Sequence, residues 1–115
     1  MSADHPREKR EHVRVPVSLS AQCEPSGAEP FAGEMTDLSL CGARVASGRM
    51  VPVGTSMVIV VQLPSAHEAS RLPATVRWTV GESFGVQFGL LGARDTRVIA
   101  ELMAQGMRAR RQTSR

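Results

Sequence analysis

The chain has 115 residues, 42% of them hydrophobic and 22% charged, which suits one globular domain and leaves no length for a catalytic domain joined to a regulatory one. Its net charge of +3 comes from 14 basic residues of which all but Lys9 are arginine, a bias that favours an anionic partner, although a GC-rich genome would enrich arginine equally. The longest apolar run, Met57 to Val61, is far short of the roughly 20 residues of a membrane span, and the opening MSADHPREKREHVRV lacks the apolar stretch of a secretory signal, so a cytoplasmic protein is expected.

Residues 1–12 read as a flexible basic arm. From Val13 to Cys23 every odd position is apolar (Val13, Val15, Val17, Leu19, Ala21, Cys23), the period of a half-buried strand, with Pro16 on the polar phase placing its start at a sheet edge or end. EPSGAEP is a turn. A second strand runs from Phe31 to Asp37 and a short third from Ala43 to Ala46. VPVGT breaks the chain before the most apolar strand, Ser56 to Leu63, and PSAHEAS is a loop. Even positions then carry the apolar phase, Leu72, Ala74, Val76, Trp78 and Val80. Beyond a tight turn at Gly81 to Ser83 it continues through Phe84, Val86 and Phe88, a hairpin with one shared face. Gly85 and Gly89 alternate with these large residues and mark bends or bulges.

After Gly92 the period changes. Asp95 is placed to cap a helix whose apolar stripe is Val98, Ile99, Leu102, Met103 and Met107, with Arg108, Arg110 and Arg111 at the end where positive charge suits the dipole. Aromatics are only 3% of the chain, so aliphatic side chains fill the core. Six short strands and one terminal helix predict a mainly β fold, a six-stranded antiparallel β-barrel with a C-terminal α-helix over its open mouth. The units are the arm at 1–12, the barrel and helix at 13–107, and a basic tail at 108–115.

Catalysis needs an activated nucleophile, a metal or paired acid and base groups. The sequence has no Gly-x-Ser-x-Gly, no phosphate-binding GxxxxGK[ST] and no HExxH. His5, His12 and His67 all fall in loops or the arm and read as solvated. Cys23 and Cys41 are too few for a disulfide framework or a zinc site and read as small buried hydrophobes. No enzyme activity, metal or cofactor is expected.

Two constellations remain. Arg10 and Arg14 form an RxxxR just before the first strand, which alone could be a solvated basic arm. Asp37-Leu-Ser39-Leu-Cys-Gly42 is a DxSxxG between the second and third strands, which alone could be a side-chain-closed turn ending in a glycine of positive φ. Together and in this order they resemble the PilZ domain, the bacterial receptor module for cyclic di-GMP. The resemblance extends over almost the whole chain through VRVPVSLSA, DLSLCGARV, VGTSMVIVVQL, ATVRW and FGVQFGLL.

The resemblance implies a six-stranded barrel with a C-terminal helix and a ligand with two phosphates and two guanines. Arg10 and Arg14 then grip phosphates or guanine edges from a mobile arm that closes over the ligand. Asp37 accepts from the guanine N1 and N2 donors, which adenine lacks. Ser39 hydrogen-bonds the ligand, and Gly42 permits close backbone approach. Lys9, Arg44 and Trp78 are further possible contacts. Lys9 stands where an arginine accompanies two intercalated ligand molecules in the family, and lysine lacks that planar surface, so one or two ligands stay open. The implied role is a single-domain signalling receptor that passes the second messenger's signal to a protein effector, with no nucleic acid expected. The alternatives are a basic barrel binding nucleic acid, which the scarcity of stacking aromatics disfavours, and an interaction adaptor that does not bind the nucleotide.

Overall fold

The computed structural model describes residues 13–62 and 68–113. Six strands, β1 (Val15–Pro25), β2 (Phe31–Leu38), β3 (Gly42–Ala46), β4 (Ser56–Val61), β5 (Ser70–Val80) and β6 (Ser83–Phe88), precede one helix, α1 (Ala93–Thr113). They close into a barrel in the order β1-β2-β3-β6-β5-β4, with every pairing antiparallel. This is the mainly β architecture that the period-two runs predict.

Alternation fills the barrel as expected. Val15, Leu38, Ala43, Val86 and Val76 are register partners across five strands and are all buried, so they form one inward layer. The next inward layer places Met35, Val45 and Phe84 at the centre, each fully buried. Phe84 and Phe31 meet edge to face at 6.3 Å between ring centres, and Arg49 stands over the Phe31 ring at 4.9 Å. Burial of Cys23 among these side chains pushes its thiol up to about 11, so it stays protonated and inert.

Several expectations need correction. Val13 is exposed, and β1 begins its inward phase at Val15. Cys41 is exposed rather than buried, because it lies at the tip of the β2–β3 turn. Asp95 is not the cap: Thr96 N–H already donates to the Gly92 carbonyl, and Asp95 sits within the first turn, where its charge suits the positive end of the helix. The apolar stripe of α1 ends sooner than expected, since Val98, Ile99 and Leu102 are buried and Met107 is exposed. The helix also continues to Thr113, through the basic stretch read as tail.

The most consequential correction concerns Trp78 and Val80. The β5–β6 register adds one residue to β5 between Val76 and Trp78, which makes Arg77 the extra residue of a bulge. Beyond it the phase reverses, so Val80 is exposed and Trp78 leaves the core. Similar shifts fall between Met35 and Asp37 in the β2–β3 pair, and between Pro16 and Leu19 in the β1–β2 pair.

Candidate functional site

Those three bulges build the site. Because directly opposed residues of an antiparallel pair share a face, a register row can be followed across the sheet. Pro16 pairs with Asp37, Asp37 with Arg44, Arg44 with Gly85, and Gly85 with Trp78. This row lies beside the inward layer that runs from Val15 to Val76, and therefore faces out. Five strands thus contribute one position each to a single line of outward residues.

At one end Arg14, just before β1, places Nη1 3.2 Å from Asp37 Oδ2. Both groups keep solvent contact, the arginine 53% and the carboxylate 25% exposed, so the pair is worth no more than about 1 kcal/mol. It orients the two side chains without locking them, and a ligand can replace either partner. At the other end the Arg44 guanidinium stands 5.7 Å from the centre of the Trp78 ring. Arg14, Pro16, Thr36, Asp37, Arg44, Ala46 and Ser83 line an open groove of about 550 Å³, within the usual range for small-molecule sites. Two arginines face one carboxylate here, so the groove favours an anion that also carries hydrogen-bond donors.

The DxSxxG turn is held by its serine. Ser39 is buried, and its Oγ accepts from the N–H groups of Cys41 and Gly42, both at 3.1 Å, while the Ser39 N–H donates to the Gly42 carbonyl at 2.9 Å. In this structure the hydroxyl is spent on the turn that aims Asp37 rather than presented to the groove. Gly42 does not adopt positive φ. It is required because a Cβ would run into the Val86 carbonyl oxygen where β3 meets β6, a close approach of strand to strand.

Among the sequence-predicted residues, Arg14, Asp37, Arg44 and Trp78 come together on the outer row, with Ser39 and Gly42 beneath it. Arg10, Lys9 and the histidines His5, His12 and His67 lie outside the described residues, as does the arm at 1–12. Gly85 has a part that the sequence reading missed. A Cβ there would overlap the Trp78 indole at Nε1 and Cε2, so the ring lies directly on the Gly85 backbone. Its alternation with Phe84 and Val86 signalled a bend or bulge, not an aromatic ring lying on its backbone.

The sequence profile of the PilZ domain family matches residues 8–105, taking in both motifs and the whole row. The chain belongs to the PilZ family. The fold of this PilZ domain is similar to that of the PilZ domain with c-di-GMP of YcgR from Escherichia coli, at a TM-score of 0.76 and 14% identity, covering 92% of this chain and 97% of that one. It is also similar to the PilZ domain of CeSA from a cellulose-synthesizing bacterium, at a TM-score of 0.65 and 19% identity over 81% of this chain and 96% of that chain. The Bacillus subtilis inhibitor of motility (MotI/DgrA) gives a TM-score of 0.65 at 21% identity, with 92% of this PilZ domain covering 53% of that longer chain. No curated protein matches the sequence. No helix among the described residues is long and apolar enough to cross a membrane.

Proposed function

We propose that this PilZ domain is a cytoplasmic bacterial receptor for cyclic di-GMP that acts without catalysis and passes the signal to a protein effector. The observation that carries the reading is the outer row, which brings the Arg14–Asp37 pair of the two family motifs together with Arg44 on one open groove, with the Trp78 ring against Arg44. Cyclic di-GMP supplies what the groove asks for, phosphate charge for the arginines and the guanine N1 and N2 donors for the Asp37 carboxylate. Arg10 joins Arg14 from the segment before β1, which folds over the bound nucleotide and presents a new surface to the effector. Ser39 and Gly42 serve the site by fixing the turn on which Asp37 stands.

Calorimetric titration of the full chain tests this. Cyclic di-GMP should bind, with cyclic di-AMP, GTP and cyclic GMP much weaker. Arg14→Ala and Asp37→Ala should each lose about 10- to 150-fold in affinity, the equivalent of a hydrogen bond to a charged group. Since the pair is half-open to water, neither should lower stability by more than about 1 kcal/mol. Arg108→Ala, on the exposed side of α1, should bind as wild type. Equal losses from Arg108→Ala and Arg14→Ala would transfer the binding from the site to overall charge. A short nucleic acid binding with steep salt dependence in place of the nucleotide would favour the alternative reading.

A further inference from the structure

A second line of outward positions runs beside the first. Ser20 pairs with Glu34, Glu34 with Ala46, Ala46 with Ser83 and Ser83 with Val80, two residues away from Arg44 on β3 and from Gly85 on β6. Ser20, Glu34 and Val80 are exposed and Ala46 and Ser83 half-buried, so this line also faces out. Along it lies an open groove of about 450 Å³ between Glu34 on β2 and Glu82 in the β5–β6 turn, lined otherwise by small residues such as Gly33, Ala46, Ser47 and Ser83. Ala46 and Ser83 line the first groove as well, so the two are continuous.

The charge of the second groove is unbalanced. Among the described residues the ion pairs are Arg14–Asp37, Arg71–Glu24 and Arg94–Glu68, and neither Glu34 nor Glu82 belongs to one. Ser18 Oγ donates to Glu34 Oε2 at 2.6 Å, which steadies that carboxylate and leaves it further acceptor sites. Two carboxylates without a cation thus stand on one face of a chain whose net charge is +3.

We infer that this groove is the ligand-free seat of the chain's own N-terminal segment, with Arg7 and Lys9 on Glu34 and Glu82, and Glu11 on Arg44. The segment is tethered at Arg14, which Asp37 holds at the head of the first row. Glu34 lies three residues along β2 from Asp37, and Glu82 adjoins Ser83 two strands across, both within about 15 Å. Lys9 and Arg7, five and seven residues before Arg14, reach as far as about 17 and 23 Å from it, which leaves slack for the chain to turn back. The order of charge matches too. Alternate residues of an extended segment share a side, so Glu11, Lys9 and Arg7 fall together as minus, plus, plus. Leading away from Asp37, the face offers Arg44 and then the two glutamates, as plus, minus, minus.

Each exposed ion pair is worth only about 1.5- to 5-fold in an equilibrium constant. The tether compensates, since a short flexible linker holds its far end at an effective concentration on the order of millimolar. A second copy of the chain lacks that advantage, and two copies of net charge +3 repel. Seated in this way, the segment crosses the first groove, and an entering nucleotide must displace it. That step rests on the reading of the first groove as a cyclic di-GMP site. The phosphates compete with Glu11 for Arg44 and set negative charge against it, so the seat is lost as the ligand is gained.

Lys9 is the only lysine, so a zero-length carbodiimide cross-link from a lysine to a carboxylate comes from that residue alone. The full chain is cross-linked with and without saturating cyclic di-GMP, and the products are mapped by peptide mass spectrometry. Without ligand, Lys9 should join Glu34 or Glu82 within one chain. The Glu34→Gln/Glu82→Gln double variant should lose these links, and the nucleotide should suppress them in the wild type. Calorimetry runs in parallel. Arg7→Ala should bind cyclic di-GMP about 1.5- to 5-fold more tightly than wild type, whereas charge alone predicts weaker binding when a cation is removed. The double variant should also bind more tightly, and combining it with Arg7→Ala should add little beyond either. Lys9 links to other carboxylates only, links that persist at saturation, or weaker binding in Arg7→Ala would each overturn the inference. Links formed only between two chains would also overturn it and assign the groove to a second copy. No heat from the wild type, with the links to Glu34 or Glu82 in place, would overturn the receptor reading and leave the seat standing.

Discussion

Replacing Gly106 by alanine should destabilise the protein, against the usual rule for a helix interior, where the change gains about 1 kcal/mol. Gly106 lies against the start of β1. A methyl group there would stand 2.8 Å from the Pro16 carbonyl oxygen, 2.9 Å from Val17 Cγ1 and 3.0 Å from Val15 Cγ1. Ordinary contact begins near 3.4 Å, so the shortfalls are 0.6, 0.5 and 0.4 Å. The Val17 methyl group can turn aside. The carbonyl cannot, because Pro16 is held opposite Asp37 in the β1–β2 ladder. The helix must lift by about half an ångström, which forfeits about a quarter of the dispersion attraction across the seam. Ile99 and Leu102, both essentially fully buried, lose contact as it lifts. Overpacking of this kind costs about 1–3 kcal/mol, and a backbone obstacle puts it in the upper half of that range. Set against the propensity gain, the net loss is about 1–2 kcal/mol, or about 5 °C in Tm for a chain of this length. Urea and thermal unfolding followed by circular dichroism measure it, and Val17→Ala in the Gly106→Ala background should recover part of the loss by removing one obstacle. A Tm at or above that of wild type would refute the backbone contact between helix and strand.

Gly42→Ala should cost about 3 kcal/mol or more and abolish nucleotide binding, since all three of the nearest atoms, Val86 O, Val86 C and Gln87 Cα, are backbone; an alanine variant that melts with wild type would contradict this. The two cysteines should differ sharply toward a thiol reagent at pH 8, exposed Cys41 reacting in the native state and Cys23 only as fast as the protein unfolds, which Cys23→Ala and Cys41→Ala separate. Stability should also fall at alkaline pH. The Cys23 thiol ionises near 9.0 when unfolded and at about 11 when folded, so the unfolded chain binds fewer protons in between and is favoured as pH rises. The loss is absent below pH 9 and reaches about 2–3 kcal/mol by pH 11, and urea midpoints at both ends should lack this component in Cys23→Ala.

Where the two-residue period ran unbroken, residues sorted themselves in the sequence: Leu72, Ala74 and Val76 are inside, and so are Phe84, Val86 and Phe88. The DxSxxG and RxxxR motifs were legible as residue types in order. What a one-dimensional pattern cannot carry is register. A single added residue at Arg77 sends Trp78 and Val80 to the opposite face from the one their alternation implies, and nothing local in VRWTV announces it. The same limit hid the alignment of Asp37 with Arg44 and Gly85, which depends on a register shift within the β2–β3 hairpin and on how β3 slides past β6, far away in sequence. Cys41 was misplaced because composition ranks cysteine among buried residues, whereas its position at a turn tip overrides that preference.

The row from Pro16 to Trp78 draws on five strands, so no fragment of the barrel owns it. Partial unfolding that detaches one strand removes the whole line at once, and binding competence becomes an all-or-none property of the folded chain. A small molecule seated across the row then holds the entire barrel shut, adding about 2.7 kcal/mol when present at a hundred times its Kd. For a domain of ordinary marginal stability that is a substantial fraction of the total, enough to lower the proteolytically vulnerable population about a hundredfold. On the proposed reading, the resistance of the chain to proteolysis would rise and fall with the concentration of cyclic di-GMP, an effect that requires no partner at all.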